Sequence, residues 1–421
     1  MANTFSKEER VAFEDIMEGF NDALVLSKIV SNYRVGDTQM ERSGDVIWRP
    51  QPYVAVAFSG TDMTSNFTDY AQLSVPATLG FSRSVPWQMT AQQLRDALQE
   101  KRLGDAARQK LASVINVAIM NTAASEGTLV VKRTVAATGY VDVAEADALM
   151  NETGVSMDNR YMALSSRDYN GMASNLASRG TMQGKPNNAY ERSLVGMVAG
   201  FQTHKLDYAN ASSVAAGTTV TVNGNQYHEP DSTTTVANGS ESNKDNRSMT
   251  LALTVGGGTV AVDDCFTIAG CNAVHHITKT DTGNLKTFRI LEILSGAGGT
   301  GNVRISPPII SDTGGTDAGA EYKNVTAQAA TGSALVFLNT VAARYNPFWH
   351  KDALEILPGR YAIPANAGAQ VLRGATDSGI ELVMTKQFDI NTLQTKYRLD
   401  TLFGVVCKQP EMAGIMLFSQ T

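Results

Sequence analysis

The chain is poor in the residues that catalysis and crosslinking draw on. Its 421 residues include three cysteines, five histidines and three tryptophans. Three scattered cysteines offer no disulfide framework, and the opening MANTFSKEER lacks the apolar core of a signal segment, so the expected setting is a reducing cytoplasm. No apolar run approaches the roughly 20 residues needed to cross a bilayer. Positive charge is not in excess either. A formal charge of −6 argues against tight non-specific binding to DNA phosphates. The sequons at Asn66, Asn151, Asn210, Asn238, Asn246 and Asn324 carry no message in that setting, because glycosylation requires secretion.

Enzyme and cofactor patterns are missing as well. GAGGTG at 296–301 matches a dinucleotide-binding string, yet NVRISPPII follows where a helix should open, so no helix N-terminus would meet the phosphates. It reads as a glycine-rich turn between strands. Gly184 and Lys185 precede Pro186, where a P-loop needs Ser or Thr. His204, His228 and His350 are scattered, no GxSxG elbow exists, and Asp263 with Asp264 reads as turn chemistry. Nothing assembles a nucleophile, a base and an oxyanion site, so no catalytic residue and no cofactor is expected.

CFTIAGCNAVHH at 265–276 does concentrate zinc-type ligands. Five residues separate Cys265 from Cys271, wider than the usual knuckle, and the adjacent His275 and His276 would point to opposite faces of a strand. The segment follows a glycine turn and an Asp-Asp turn, and Phe266 and Ile268 alternate with Cys265 and Thr267 at period two. A strand with cysteines acting as small hydrophobes is therefore expected, and no metal.

What the sequence does hold is a globular composition, 43% hydrophobic and 18% charged, in a chain long enough for two or more domains. From Ala209 to about Ser333 it fills with Thr, Gly, Ser, Asn and Val, as if an all-β domain were set into a mixed one. Near the N-terminus, Ser6 and Glu9 form a capping-box pattern. Phe13, Ile16, Phe20, Ala23 and Leu24 then share one helical face, opposite an acidic face of Glu8, Glu14, Asp15 and Glu18. That acidic face is either solvated or a docking strip for a basic partner.

Two extended stretches follow, GDVIWRPQPYVAVAFSG and DYAQLSVPATLGFSRSVPW, bearing Pro50, Pro52 and Pro76. Proline cannot donate to a central ladder, so these strands belong at an edge or in a two-stranded arm, which is marginal in water by itself. From Thr90 to Glu126 runs a helical pattern that opens with a second capping box, Thr90 and Gln93. At 1.5 Å per residue it would span about 55 Å. Gly104 marks a point of bending or interruption and Gly127 a stop. An overlong helix beside an unsupported arm fits an elongated subunit that lies against copies of itself.

The order of QMERSGDVIWRP, the proline-bearing hairpin, LRDALQEKRLGDAARQKLASVINVAIMNTAASEGTLVV, YMALSSRDYNGM, the β-rich insertion and YNPFWHKDALEIL resembles the major coat proteins of tailed bacteriophages. It is nearest to the short-tailed Salmonella-phage type, which carries an inserted telokin-like β-barrel. The resemblance covers nearly the whole chain. It implies an α+β chain with the Hong Kong 97 type capsid fold: an N-terminal arm at 1–43, an extended loop at 44–81, a peripheral domain with a spine helix at 82–140 and an axial domain at 141–208. The inserted barrel would span 209–343, followed by an axial return at 344–358 and a peripheral and axial C-terminal part at 359–421.

The resemblance also implies a structural, non-enzymatic subunit that forms pentamers and hexamers of an icosahedral shell around double-stranded DNA. Its partners would be an internal scaffolding protein and a portal protein at one vertex, with no membrane. Assembly would take place in the host cytoplasm and be followed by expansion. Contacts between capsomers would fall on the long polar loop HEPDSTTTVANGSESNKDNR, with Asp231, Glu241, Lys244, Asp245 and Arg247 among the charged contacts, the alternative being a solvated mobile loop. A basic scaffold end would dock on Glu14, Asp15 and Glu18, and contacts of the extended loop would use Trp48, Arg49, Tyr53 and Phe58. Two readings from other classes stay open: the shell subunit of a cellular compartment, and a soluble β-domain binding protein.

Overall fold

The computed structural model describes residues 7–33, 46–52, 55, 57, 60–64, 67, 71–90, 92–93, 97–178, 196–206, 209–237, 239–363 and 369–421. Its helices are α1 (Lys7–Ala23), α2 (Ala97–Glu126), α3 (Tyr140–Thr153), α4 (Ser166–Ser178) and the short α5 (Asp317–Glu321). The chain separates into two compact units, Met1–Ile47 with Ala77–Met120 and Leu354–Val406, and Trp48–Pro76 with Asn121–Ala353 and Cys407–Thr421.

In the first unit α1 buries Phe13, Ile16 and Phe20, with Leu24 just past its end, which is the stripe its spacing predicts. The last turn of α1 would leave carbonyls unpaired. Asn116 of α2 closes it, donating from Nδ2 to Ala23 O at 3.0 Å while its Oδ1 accepts from the Leu26 amide at 3.3 Å. The α2 helix runs unbroken through Gly104. The glycine serves close approach instead of bending, since a Cβ there would sit 2.7 Å from Ile16 Cδ1. Thr90 and Gln93 form their reciprocal bonds, 3.0 Å from the Thr90 amide to Gln93 Oε1 and 3.3 Å from the Gln93 amide to Thr90 Oγ1. Ser6 lies outside the described residues.

The sheet of this unit runs Ser31–Asn32, Leu354–Pro358, Gln394–Cys407, Glu381–Asp389 and Gln370–Ala375, and Phe81–Thr90 also pairs with the long Gln394–Cys407 strand. Side chains alternate across it. Tyr397 is buried and stacks on Trp87 at 5.5 Å, whereas the neighbouring Lys396 and Arg398 face solvent. Lys386 pairs with Glu9 and so fixes α1 on the sheet.

The second unit holds two six-stranded sheets. One, in the order Leu129–Lys132, Ala413–Leu417, Asn346–His350, Arg160–Leu164, Phe201–Lys205 and Met197–Val198, shares a core with α3 and α4 that includes Val143, Met150, Met172, Phe201 and Phe348. Asn346–His350 joins this sheet, while Leu354–Pro358 belongs to that of the first unit.

The other sheet is all antiparallel: Leu335–Phe337, Cys265–Val274, Asp281–Ser295, Gly299–Ser306, Met249–Gly257 and Thr218–Val222. Its two ends meet, with Thr221 bridging Ala334 and the Val222 amide donating to Ser333 O at 3.0 Å. This makes the insertion a barrel, filled by Leu251, Leu253, Phe266, Ile268, Phe288 and Ile305 among others. The glycine-rich 296–301 segment turns one barrel strand into the next, with Gly296 and Gly299 at φ of 56° and 86°.

Candidate assembly surfaces

Within the second unit, two arginines clamp the barrel to its surroundings. Arg289, on the Asp281–Ser295 strand, is fully buried. Its Nη1 donates to the carbonyl oxygens of Ala124 and, at 3.2 Å, Gly127, and its guanidinium lies 5.1 Å from the centre of the Tyr345 ring. A cation at the C-terminal end of α2 meets the negative pole of the helix and pairs carbonyls that the helix leaves open. Thr287 on the same strand donates to Thr128 O at 2.7 Å.

Arg247 is the second clamp. It takes Asp245 through Nε and Nη2, donates from Nη1 to Cys407 O at 2.8 Å, and stands 3.5 Å from Glu126. Burial would lower its pKa, but the bonds and charge of Asp245 outweigh that and raise it.

The long polar loop projects beyond this clamp. Thr233–Thr235 and Glu241–Asn243 pair as an antiparallel hairpin of their own, with exposed side chains at almost every position. Its base is held by Asn246, which is buried, donates to Asp231 O at 2.7 Å and accepts from the Asp231 amide at 3.3 Å. Of the five loop residues named from sequence, Glu241 is exposed and Asp231 pairs with Lys244 at 3.0 Å near the surface. Asp245 and Arg247 are engaged inside the unit. Arg289 is not legible from sequence because its carbonyl partners lie more than 160 residues away, and Asn246 reads there only as a sequon in a polar loop.

On α1, Glu14, Asp15 and Glu18 all face solvent. Val46–Pro50 and Ser74–Thr78 form a two-stranded sheet of their own, as the prolines predict. Trp48 and Arg49 are half-buried there, whereas Tyr53 and Phe58 lie outside the described residues. In the second unit the foot of the loop is tied down by Gln51, whose Nε2 donates to Lys408 O at 2.9 Å, and by Tyr322, whose hydroxyl donates to Ala71 O at 2.8 Å. Phe67, farther out, is 87% exposed.

The cysteines are core residues. Cys271 lies inside the barrel, where burial pushes its thiol up to about 11. Cys265 is also fully buried, and burial raises its pKa too. The strict alternation expected for this strand fails at 265–268, where all four side chains are buried. One face fills the barrel and the other packs toward Arg289. Among the described residues no three His, Cys, Asp or Glu side chains gather as a metal site. Gly184 and Lys185 lie outside the described residues.

Residues 1–419 match the family described as P22 coat protein, gene protein 5. The chain belongs to the P22 coat protein family. It is thus a major capsid protein of a tailed bacteriophage, with the Hong Kong 97 type fold and an inserted barrel, and its place is the virion capsid. Members of the family are structural capsid proteins that assemble into multi-subunit shells.

Among solved structures, the coat protein I-domain of CUS-3 is 35% identical, with 99% of that chain covered by 30% of this one, at a TM-score of 0.23. The PhiM1 mature capsid is 11% identical over 100% of this chain and 89% of that one, with a TM-score of 0.42. A Mycobacterium phage Che8 chain is 9% identical over 94% and 92%, with a TM-score of 0.44.

Proposed function

We propose that the chain is the repeating subunit of an icosahedral shell that closes as pentamers and hexamers around double-stranded DNA. Assembly in the host cytoplasm is guided by an internal scaffolding protein, a portal occupies one vertex, and the shell later expands. The role is mechanical and involves no catalysis. The observation that carries this reading is the exposed hairpin at 233–243 set on a base clamped by Asn246 and Arg247: a stiff stalk with a polar tip is suited to reaching a neighbouring capsomer. Glu241 supplies an outward charge on the hairpin itself, and the Asp231–Lys244 pair supplies two more at the surface of its base. Each exposed ion pair is worth only about 0–1 kcal/mol, but a closed shell repeats it many times.

The solvent-facing Glu14, Asp15 and Glu18 form the docking strip for a basic scaffold end. Trp48 and Arg49, with Tyr53 and Phe58, belong to the loop that neighbouring copies cover. Sedimentation and electron microscopy of the expressed chain, with and without its scaffold, test the reading. Fast-sedimenting closed shells are expected, and a slow monomer under every condition refutes it. Scaffold binding should weaken with salt and with Ala at positions 14, 15 and 18, and binding indifferent to both removes the docking strip.

A further inference from the structure

In the first unit, the turn that joins Glu381–Asp389 to Gln394–Cys407 is built against local preference. Burial fades along the incoming strand: Glu381 to Met384 are covered, whereas Phe388 is 46% exposed. Beyond it, Ile390 and Leu393 are 77% and 62% exposed. Three large apolar side chains thus meet water between positions 388 and 393. Elsewhere in this unit the large exposed hydrophobics among the described residues, Val11, Val25, Val46 and Leu103, lie far apart in sequence.

The backbone adds a second observation. Leu393 has a φ of 54°, in the left-handed region, where Cβ crowds a carbonyl and glycine or asparagine sits with less strain. The same turn uses polar turn residues where they help: the Asn391 amide donates to Asp389 Oδ1 at 3.0 Å. A leucine at position 393 strains the backbone and, being largely exposed, adds little to the core, so its use lies outside the folding of this chain.

Charge and area narrow what covers it. The one charged side chain from Phe388 to Leu393 is Asp389, and Lys396 Nζ donates to it at 2.9 Å. Such a turn is self-complementary, since two copies meet without like-charge repulsion and each gives the other the apolar cover it lacks. The apolar area is on the order of a few hundred Å², against roughly 1,200 Å² for a stable complex. It would not hold two free subunits together, but it adds to a contact that a shell already brings about. We propose that Phe388, Ile390 and Leu393 form a self-association contact, packing in the assembled particle against the same turn of a second copy of this chain. The proposal rests on the shell reading above.

The test places a photo-reactive benzophenone amino acid at position 390 of the full chain, irradiates purified shells and maps the adducts by mass spectrometry. Covalent dimers joined within positions 388–393 of the second copy are expected. Adducts elsewhere on the second copy, or on a scaffolding protein, overturn the proposal. In parallel, Leu393→Asn should leave the monomer at least as stable to urea as wild type, because asparagine accepts this backbone, and a loss of stability refutes the strain argument. Combined with Ile390→Ser, it should raise the protein concentration needed for closed shells about tenfold. Shells that close at the wild-type concentration overturn the contact while leaving the shell reading intact. Wild-type chains that form no shell under any condition overturn that reading and this proposal with it.

Discussion

Replacing Arg289 by Met removes the clamp between the barrel and the end of α2 while keeping most of the side-chain volume. Two charge-assisted bonds to Ala124 O and Gly127 O are lost, each worth about 1.5–3 kcal/mol, together with the contact over Tyr345, worth up to about 2 kcal/mol. Against this, a guanidinium with no exposed surface no longer has to be stripped of water, a relief of several kcal/mol. The balance is a net destabilisation of about 2–4 kcal/mol, because the two helix-end carbonyls stay buried and unmatched.

Urea unfolding of the monomer gives the number, and hydrogen exchange gives the place. Protection should fall first in Leu129–Lys132 and Asp281–Ser295, the strands that flank the clamp. Arg289→Lys should recover only part of the loss, since both bonds come from the terminal nitrogen Nη1 and a more strongly hydrated ammonium costs more to bury there. A change under about 0.5 kcal/mol in the Met variant would mean that desolvation cancels the bonds and that Arg289 holds nothing together.

Three further outcomes follow from the same structure. Lys279 has a folded pKa of about 8 against an ordinary 10.5, so the unfolded chain keeps that proton longer. Stability should therefore rise as pH goes from about 8 toward 10.5, and Lys279→Met should be the more stable protein at pH 7 and lack this rise, as urea midpoints at pH 7 and 9.5 will read. Lys244→Glu should cost the monomer no more than about 1 kcal/mol, the worth of its surface pair with Asp231, yet reduce closed shells, whereas Arg247→Glu should cost the monomer about 3–5 kcal/mol; equal effects on folding would contradict the division between surface pair and buried clamp. Gly104→Val should lose about 1–3 kcal/mol in thermal unfolding, because even its Cβ would lie 2.7 Å from Ile16 Cδ1.

Local order was the part legible in the sequence. The Phe13, Ile16 and Phe20 stripe, the Thr90–Gln93 capping box, the proline-bearing pair of strands and the β-rich insertion all depend on residues a few positions apart, and the structure has them. Distant partnerships were not legible. Arg289 meets carbonyls more than 160 residues away, and Lys286 finds Glu411 across the chain, so nothing in their neighbourhoods marks them as buried cations. Period-two reasoning failed at Cys265 because that strand is covered on both faces. Arg247 illustrates a subtler limit: a charge in a polar loop reads as surface, yet Asp245, Glu126 and Cys407 O draw it inward.

The meeting of Thr221 with Ala334 bears on how such a protein survives its own abundance. A sheet joined end to end offers no row of bare amides and carbonyls for a stranger's strand to zip onto. Newly made chains crowd together long before any particle is complete, and a barrel closed on itself gives them one less way to stick wrongly.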